Sequence, residues 1–343
     1  MTARDSSAPV FKAEHLLACQ NDLGEGVVWD SKTQLLHWVD IPKGNLHSYD
    51  PTTRKQSIDH YPESKSLSYI TPRSSQPGFI ATFVGSLVVL PPATPPHSAS
   101  TQPEPVVRNA EKVLSEPIDL KGVENGKIRF NDGGVDPQGR VWFGSMGNNE
   151  DEPEMPGELS RYDLDGSQTR ILSEVGVSNG LGWSPDGLTM YYVDSRKPYV
   201  WAYDFSPSTG SISNEREFVT TPPPLDDTRP SEGNFDGLCM DGVGNVWVAR
   251  WRDERIVGYN PKGEIVAMIH TEGCKSPTIP CFGGKDLTTM YIVSASSYRG
   301  GDGDQDKWPR SGDLFKIECG PGSELGKVLG EGWKGAERHR AAI

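Results

Sequence analysis

The chain has 343 residues, enough for one large domain or two ordinary ones, and only 35% are hydrophobic while 38 are glycine and 28 proline. That composition is thin for one deep core and rich in turn formers, so it favours many short strands over long helices. A net charge of −13 and a pI near 5.0 exclude nucleic acid and an anionic membrane as partners, because like charges repel at contact range, and point instead to a small neutral or cation-assisted ligand.

From the N-terminus, Met1 to Lys12 lacks the apolar run of a signal peptide. No later stretch approaches the roughly 20 apolar residues of a membrane helix, so the expectation is a cytoplasmic protein with no membrane partner. Pro9 to Ala13 reads as a short strand. A hairpin pattern then begins and recurs in different letters: a polar residue, a small or apolar pair, a short strand, an Asp/Gly/Pro turn, and a second strand rich in aromatic and β-branched residues. The copies run from Glu25 through Val28-Trp29-Asp30 to Leu36-His37-Trp38-Val39, and from Asn131 through Asp136-Pro137-Gln138-Gly139 to Val141-Trp142-Phe143. Two more run from Asn179 through Ser184-Pro185-Asp186-Gly187 to Tyr191-Tyr192-Val193, and from Asp236 through Met240-Asp241-Gly242 to Val246-Trp247-Val248. In all four the leading polar residue stands five positions before the turn begins.

Turns starting at Asp30, Asp136, Ser184, Asp241 and Asp286 give a period of about 50 residues, with one double gap that Tyr69 to Leu90 fills. Outer strands follow each hairpin, as in Leu46 to Tyr49, Glu158 to Tyr162, Val200 to Tyr203, Ile256 to Tyr259 and Gly312 to Ile317. Four strands per unit in six units predict an all-β fold, a six-bladed β-propeller, forming a single domain with its core over about residues 10–320. Pro9 to Ala13 is placed to complete the sixth blade. Pro91 to Pro105 and Thr220 to Gly233 read as surface loops, and the tail from Lys334 to Ile343 is expected to fray. The five cysteines, Cys19, Cys239, Cys274, Cys281 and Cys319, contain no C-x-x-C pair and read as buried free thiols, with a Cys274–Cys281 disulfide as the alternative.

In a propeller the innermost strands line the central channel, so residues at one register converge there although far apart in sequence. Glu25, Asn179 and Asp236 would then meet near the axis. Two carboxylates brought together lose hydration and repel, which costs stability unless a cation sits between them. An all-oxygen set suits Ca²⁺, Mg²⁺ or Mn²⁺, and Zn²⁺ with water completing its shell. The alternative is that Glu25 and Asp236 only accept backbone hydrogen bonds in turns.

Gly24-Glu25-Gly26, Arg129-Phe130-Asn131-Asp132-Gly133, Val177-Ser178-Asn179-Gly180-Leu181, Phe235-Asp236-Gly237-Leu238-Cys239 and Cys281-Phe282-Gly283-Gly284 resemble, in order, the signature segments of the SMP-30/gluconolactonase/regucalcin family. The resemblance spans roughly residues 15 to 320. It implies a six-bladed propeller with one catalytic divalent metal that hydrolyses sugar lactones. It places metal ligands on Glu25, Asn179 and Asp236, substrate contacts on Arg129 and Asn131, and the general base on Asp236. Where some members carry a substrate-contacting glutamate, this chain reads Gly147-Asn148-Asn149-Glu150-Asp151, so either Asn149 or Glu150 takes that place.

The chemistry follows without the family. A metal-polarised carbonyl is attacked by water and the oxyanion is neutralised by the cation, with Asp236 taking the proton. Arg129 and Asn131, two apart on a strand, point to one side and offer a cationic fork and an amide. The expected partner is a small lactone, and the expected assembly a monomer or weak dimer. Two other readings stay open, a metabolite isomerase or cyclase on the same scaffold and a non-catalytic calcium-binding regulator. Gly144-Ser145-Met146-Gly147 lacks the spacing of a G-x-S-x-G elbow, and the chain has no H-E-x-x-H pair. The run Asp302 to Asp306 lacks the glycine and helices of an EF-hand and reads as a solvated loop. Most tryptophans, on strands at blade spacing, are expected in the inter-sheet core, with Trp251 and Trp308 in loops as candidates for the pocket wall.

Overall fold

Short runs of apolar and β-branched residues, each ended by a glycine- or aspartate-bearing turn, fold the chain into antiparallel sheets rather than helices. The computed structural model describes residues 8–115, 126–147, 156–224 and 233–343. Among these, six sheets of four or five strands form a ring, a six-bladed β-propeller. Each blade begins with an inner strand beside the axis: Gly24–Asp30, Tyr69–Pro72, Ile128–Val135, Ser178–Trp183, Asn234–Met240 and Ser276–Gly283. The double gap in the repeat is filled as expected, by Tyr69–Pro72, Phe79–Thr82 and Leu87–Leu90 of the second blade.

The turn chemistry explains the hairpins. In the third blade Asp136 accepts from the main chain of Gln138 and Arg140 and from the Trp142 indole, while Gly139 takes φ +89°. Asp241 repeats this in the fifth blade, accepting from Val243, Asn245 and the Trp247 indole. One aspartate thus fixes both the turn and the tryptophan that packs between blades. Trp29, Trp38, Trp142, Trp183 and Trp247 are buried, as expected, and Trp201 is half-buried. All five cysteines are buried and free.

Two expectations about the chain ends are corrected. Pro9 to Ala13 does not complete the sixth blade. Val10–Lys12 runs parallel to Ile265–His270 as a fifth strand of the fifth blade, and Glu14–Leu17, antiparallel to Leu314–Glu318, completes the sixth. Nor does the tail fray. Residues 333–343 cross the end of the ring that carries the inner hairpin turns: Trp333 is buried, its indole donating to Asp241 at 2.7 Å and its ring 5.4 Å from Phe282. Further along, Gly335 bridges to Asp241, Ala341 to Arg73, and the Ala342 N–H donates to the Gly139 carbonyl. Fraying needs exposed, unbonded backbone, and this backbone is bonded to one blade after another.

The Pro91 to Pro105 segment is a surface loop, yet it is tied to the first blade. Thr94 donates to Asp59, Ser57 donates to the Thr94 carbonyl, and Ser98 bridges to Gln56. Residues 225–232 of the second expected loop lie outside the described residues. No helix among the described residues is long and apolar enough to cross a membrane.

Candidate metal centre

Five of the six inner strands share a departure from regular pairing, Tyr69–Pro72 alone being regular. In the first blade Glu25 pairs with Val39 but Val28 with His37, three residues against two. The same extra residue occurs between Phe130 and Gly133, Ser178 and Leu181, Phe235 and Leu238, and Pro277 and Ile279. A β-bulge re-aims the side chain it carries, so repeating one at a fixed register turns a set of side chains toward the axis together. Gly26 after Glu25 takes φ +57°, while Asn179 and Asp236 are followed by glycine because the neighbouring inner strand is so close. A Cβ on Gly180 would stand 2.7 Å from the Asp236 carbonyl, and one on Gly237 would stand 2.4 Å from Ile279.

Glu25, Asn179 and Asp236 are all buried at these bulges. Glu25 accepts from the Gly26 N–H at 3.2 Å and Asn179 from Gly180 at 3.1 Å, while the Asn179 amide donates to Ser195 at 3.0 Å. Backbone hydrogen bonds of the turn type are therefore present, as the alternative has it, but they occupy only part of each oxygen's capacity. Arg129, half-buried, donates to the Asn131 side chain at 2.7 Å, so both do face one side, and Asn131 donates onward to the Ser178 carbonyl at 2.9 Å. Asn131 thus also ties the third blade to the fourth. Asn149 and Glu150 lie outside the described residues.

Asp132 is the member the sequence reading missed. It is 3% exposed; one oxygen accepts from Gly133 at 2.7 Å and the other, buried, has no partner. Counting five positions back from the turn selects Asn131, whereas Glu25, Asn179 and Asp236 each immediately precede a glycine, and by that rule Asp132 belongs with them.

The electrostatics follow from three carboxylates in one dry place. Burial pushes Glu25 well above the usual carboxylate range, and the charges of Asp236 and Asp132 push it further. Asp236 is raised by burial and by Asp132, against a hydrogen bond from Asn179. Burial raises Asp132 to about 6. Among the described residues no three His, Cys, Asp or Glu side chains form a ready-made metal cluster. The set is two carboxylates and an amide, with a third carboxylate beside them. Mutually repelling buried carboxylates and an oxygen without a partner fit a hard divalent cation.

Of the expected pocket-wall residues, Trp251 ends the strand Val246–Trp251 instead of lying in a loop, and Trp308 is largely buried, flanked by Lys275 and Lys307. Asp302 pairs with Lys307 in an exposed turn, as a solvated loop should. At the opposite end of the channel a cavity of about 360 Å³ lies between the inner hairpins and the tail, lined among others by Tyr69, Leu181, Trp183, Met240 and Arg338.

Residues 23–296 match the family model described as SMP-30/Gluconolactonase/LRE-like region, and the chain belongs to that family. It is 29% identical over 304 residues to a pentonolactonase of Haloferax volcanii, covering 86% of this chain and 90% of that one. It is 32% identical over 297 residues to a 6-deoxy-6-sulfogluconolactonase of Pseudomonas putida, covering 85% and 90%. Among solved structures, a luciferin-regenerating enzyme superposes with a TM-score of 0.77 at 28% identity, covering 96% of this chain and 99% of that one.

Proposed function

We propose that this protein is a metal-dependent lactonase that hydrolyses an aldono-lactone or a similar small cyclic ester to the hydroxy acid. The observation that carries the reading is the buried layer of Glu25, Asp132, Asn179 and Asp236 at successive inner-strand bulges, with Arg129 beside it. The lactonases among its relatives support the substrate class. Glu25, Asn179 and Asp236 would hold one divalent cation, Ca²⁺, Mg²⁺, Mn²⁺ or Zn²⁺. Bound there, it supplies Lewis acidity to the ester carbonyl.

The chain's own residues do the rest. Arg129, held by Asn131, presents a cation where negative charge develops on the carbonyl oxygen. The Asp236 carboxylate accepts the proton of the attacking water. Asn131 fixes Arg129 and offers an amide to a ring hydroxyl. Burial of Glu25, Asp132, Asn179 and Asp236 lowers the local dielectric, which strengthens each of these interactions.

The test compares wild type with Asp236→Asn against a panel of sugar lactones at saturating metal, with metal content measured. The asparagine keeps one coordinating oxygen but cannot take a proton, so turnover should fall on the order of 10²- to 10⁴-fold in the loaded variant. Asn131→Ala should mainly raise KM. Wild-type turnover by metal-loaded Asp236→Asn removes the base assignment. A wild type that binds calcium and hydrolyses no lactone makes the protein a regulator or an isomerase instead.

A further inference from the structure

The tail does more than cover the channel. Glu337 accepts from Arg340, which also reaches Asp30 in the first blade, and Thr71 in the second blade donates to the His339 carbonyl. Between these anchors Arg338 is turned inward, and one of its terminal nitrogens donates to the Leu238 carbonyl at 2.7 Å and the Pro280 carbonyl at 3.1 Å. Those carbonyls lie on the inner strands of the fifth and sixth blades. Its Nε is buried without a partner, so the guanidinium is held by main-chain carbonyls rather than by a carboxylate.

Its height in the channel follows from sequence. Leu238 is two residues beyond Asp236 on the same strand and across its bulge, at most roughly 7 Å at strand rise. The guanidinium therefore sits about one side-chain layer beneath the carboxylates. Its reach is central: burial raises Asp132, Tyr69, Cys239 and Cys281, and the charge of Arg338 opposes that rise at all four, on the third, second, fifth and sixth blades. A half-buried cation without an ion pair is costly. Negative charge one layer away, at Asp132, offsets that cost.

We propose that Arg338 is a positioning residue of the site, a resident positive charge that the tail inserts beneath the carboxylate layer, where it acts through Asp132, adds to the charge of Arg129 and moderates the layer's hold on a divalent cation. The inference rests on the cation site proposed above. Charge and mere support predict opposite signs. Loss of a nearby positive charge tightens cation binding, whereas loss of a brace loosens the ligands and weakens it.

The experiment is calorimetric titration of the full chain with Ca²⁺ alone, for wild type, Arg338→Met and Arg338→Lys, with thermal melts alongside. Arg338→Met should bind Ca²⁺ tighter, on the order of tenfold, even if its melting temperature falls. Arg338→Lys, which keeps the charge but not the planar fork, should bind as wild type does. If the methionine variant does not fold, Arg338→Gln, which keeps a donor for the carbonyls, takes its place with the same expected tightening. Unchanged or weaker Ca²⁺ binding by the neutral variants overturns the inference while leaving the cation site standing. A wild type that takes up no Ca²⁺, Mg²⁺, Mn²⁺ or Zn²⁺ overturns both.

Discussion

His47 shows how far this fold goes in burying polar groups away from its site. It is fully enclosed in the first blade, stacked 4.9 Å from Trp38, and neither ring nitrogen has a partner. Burial holds its pKa down to about 3, with the charge of Lys43 adding, and burial holds His37 down to about 4. A base whose folded pKa is depressed contributes stability that is present above its unfolded value near 6.5 and is lost as pH falls toward the folded one. The loss is about 1.4 kcal/mol per pH unit per histidine. Melting curves between pH 7 and pH 4 should therefore fall steeply, and His47→Leu should make that fall shallower. An identical pH dependence in variant and wild type would count against the assignment. At this scale the sequence spoke clearly for Glu25, Asn179 and Asp236, because one register and one following glycine mark each of them. Asp132 was legible only by the glycine rule, and its unpartnered oxygen is a property of packing that no local pattern carries.

At the scale of elements, the hairpins were legible because turn chemistry and strand alternation are local. Edge placement was not. Val10 and Phe11 mark a strand as plainly as Leu16 and Leu17 do, but which blade each joins depends on pairing with residues about 260 and 300 positions away. The bulges were equally hidden, since an extra residue shows only against its partner strand. The Pro91 to Pro105 loop looks dispensable by composition and is less so in the fold. Asp59, 1% exposed, takes hydrogen bonds from Thr94 and an ion pair from Arg108 at 3.5 Å. Replacing the loop by a short Gly/Ser turn should leave a single cooperative transition but lower stability by about 1–3 kcal/mol through the under-satisfied Asp59. Urea unfolding measures this, and an unchanged midpoint would show that water satisfies Asp59 instead.

For the whole molecule the decisive feature is that the ring is closed twice, at its outer edge by Glu14–Leu17 on Leu314–Glu318 and across its floor by the tail. Removal of residues 1–13 takes away the added outer strand Val10–Lys12 and should lower the melting temperature while one transition remains. Removal of residues 1–17 leaves the sixth blade with an open edge and should broaden or split the transition. Calorimetry distinguishes the two, and equal behaviour of both truncations would mean that the edge pairing does not hold the ring.

The double closure also sets an order of events during synthesis. A chain emerging from the ribosome can form the four-stranded parts of its first five blades from neighbouring residues, but Glu14–Leu17 must wait for a partner some 300 positions later, a long-range pairing of the slow kind. The tail that fills the floor leaves the ribosome after that partner. Arg338 therefore reaches the axis after every inner strand, so the nascent propeller assembles its carboxylate layer with Arg129 alone as counter-charge, and acquires its finished electrostatics only when the tail closes the floor.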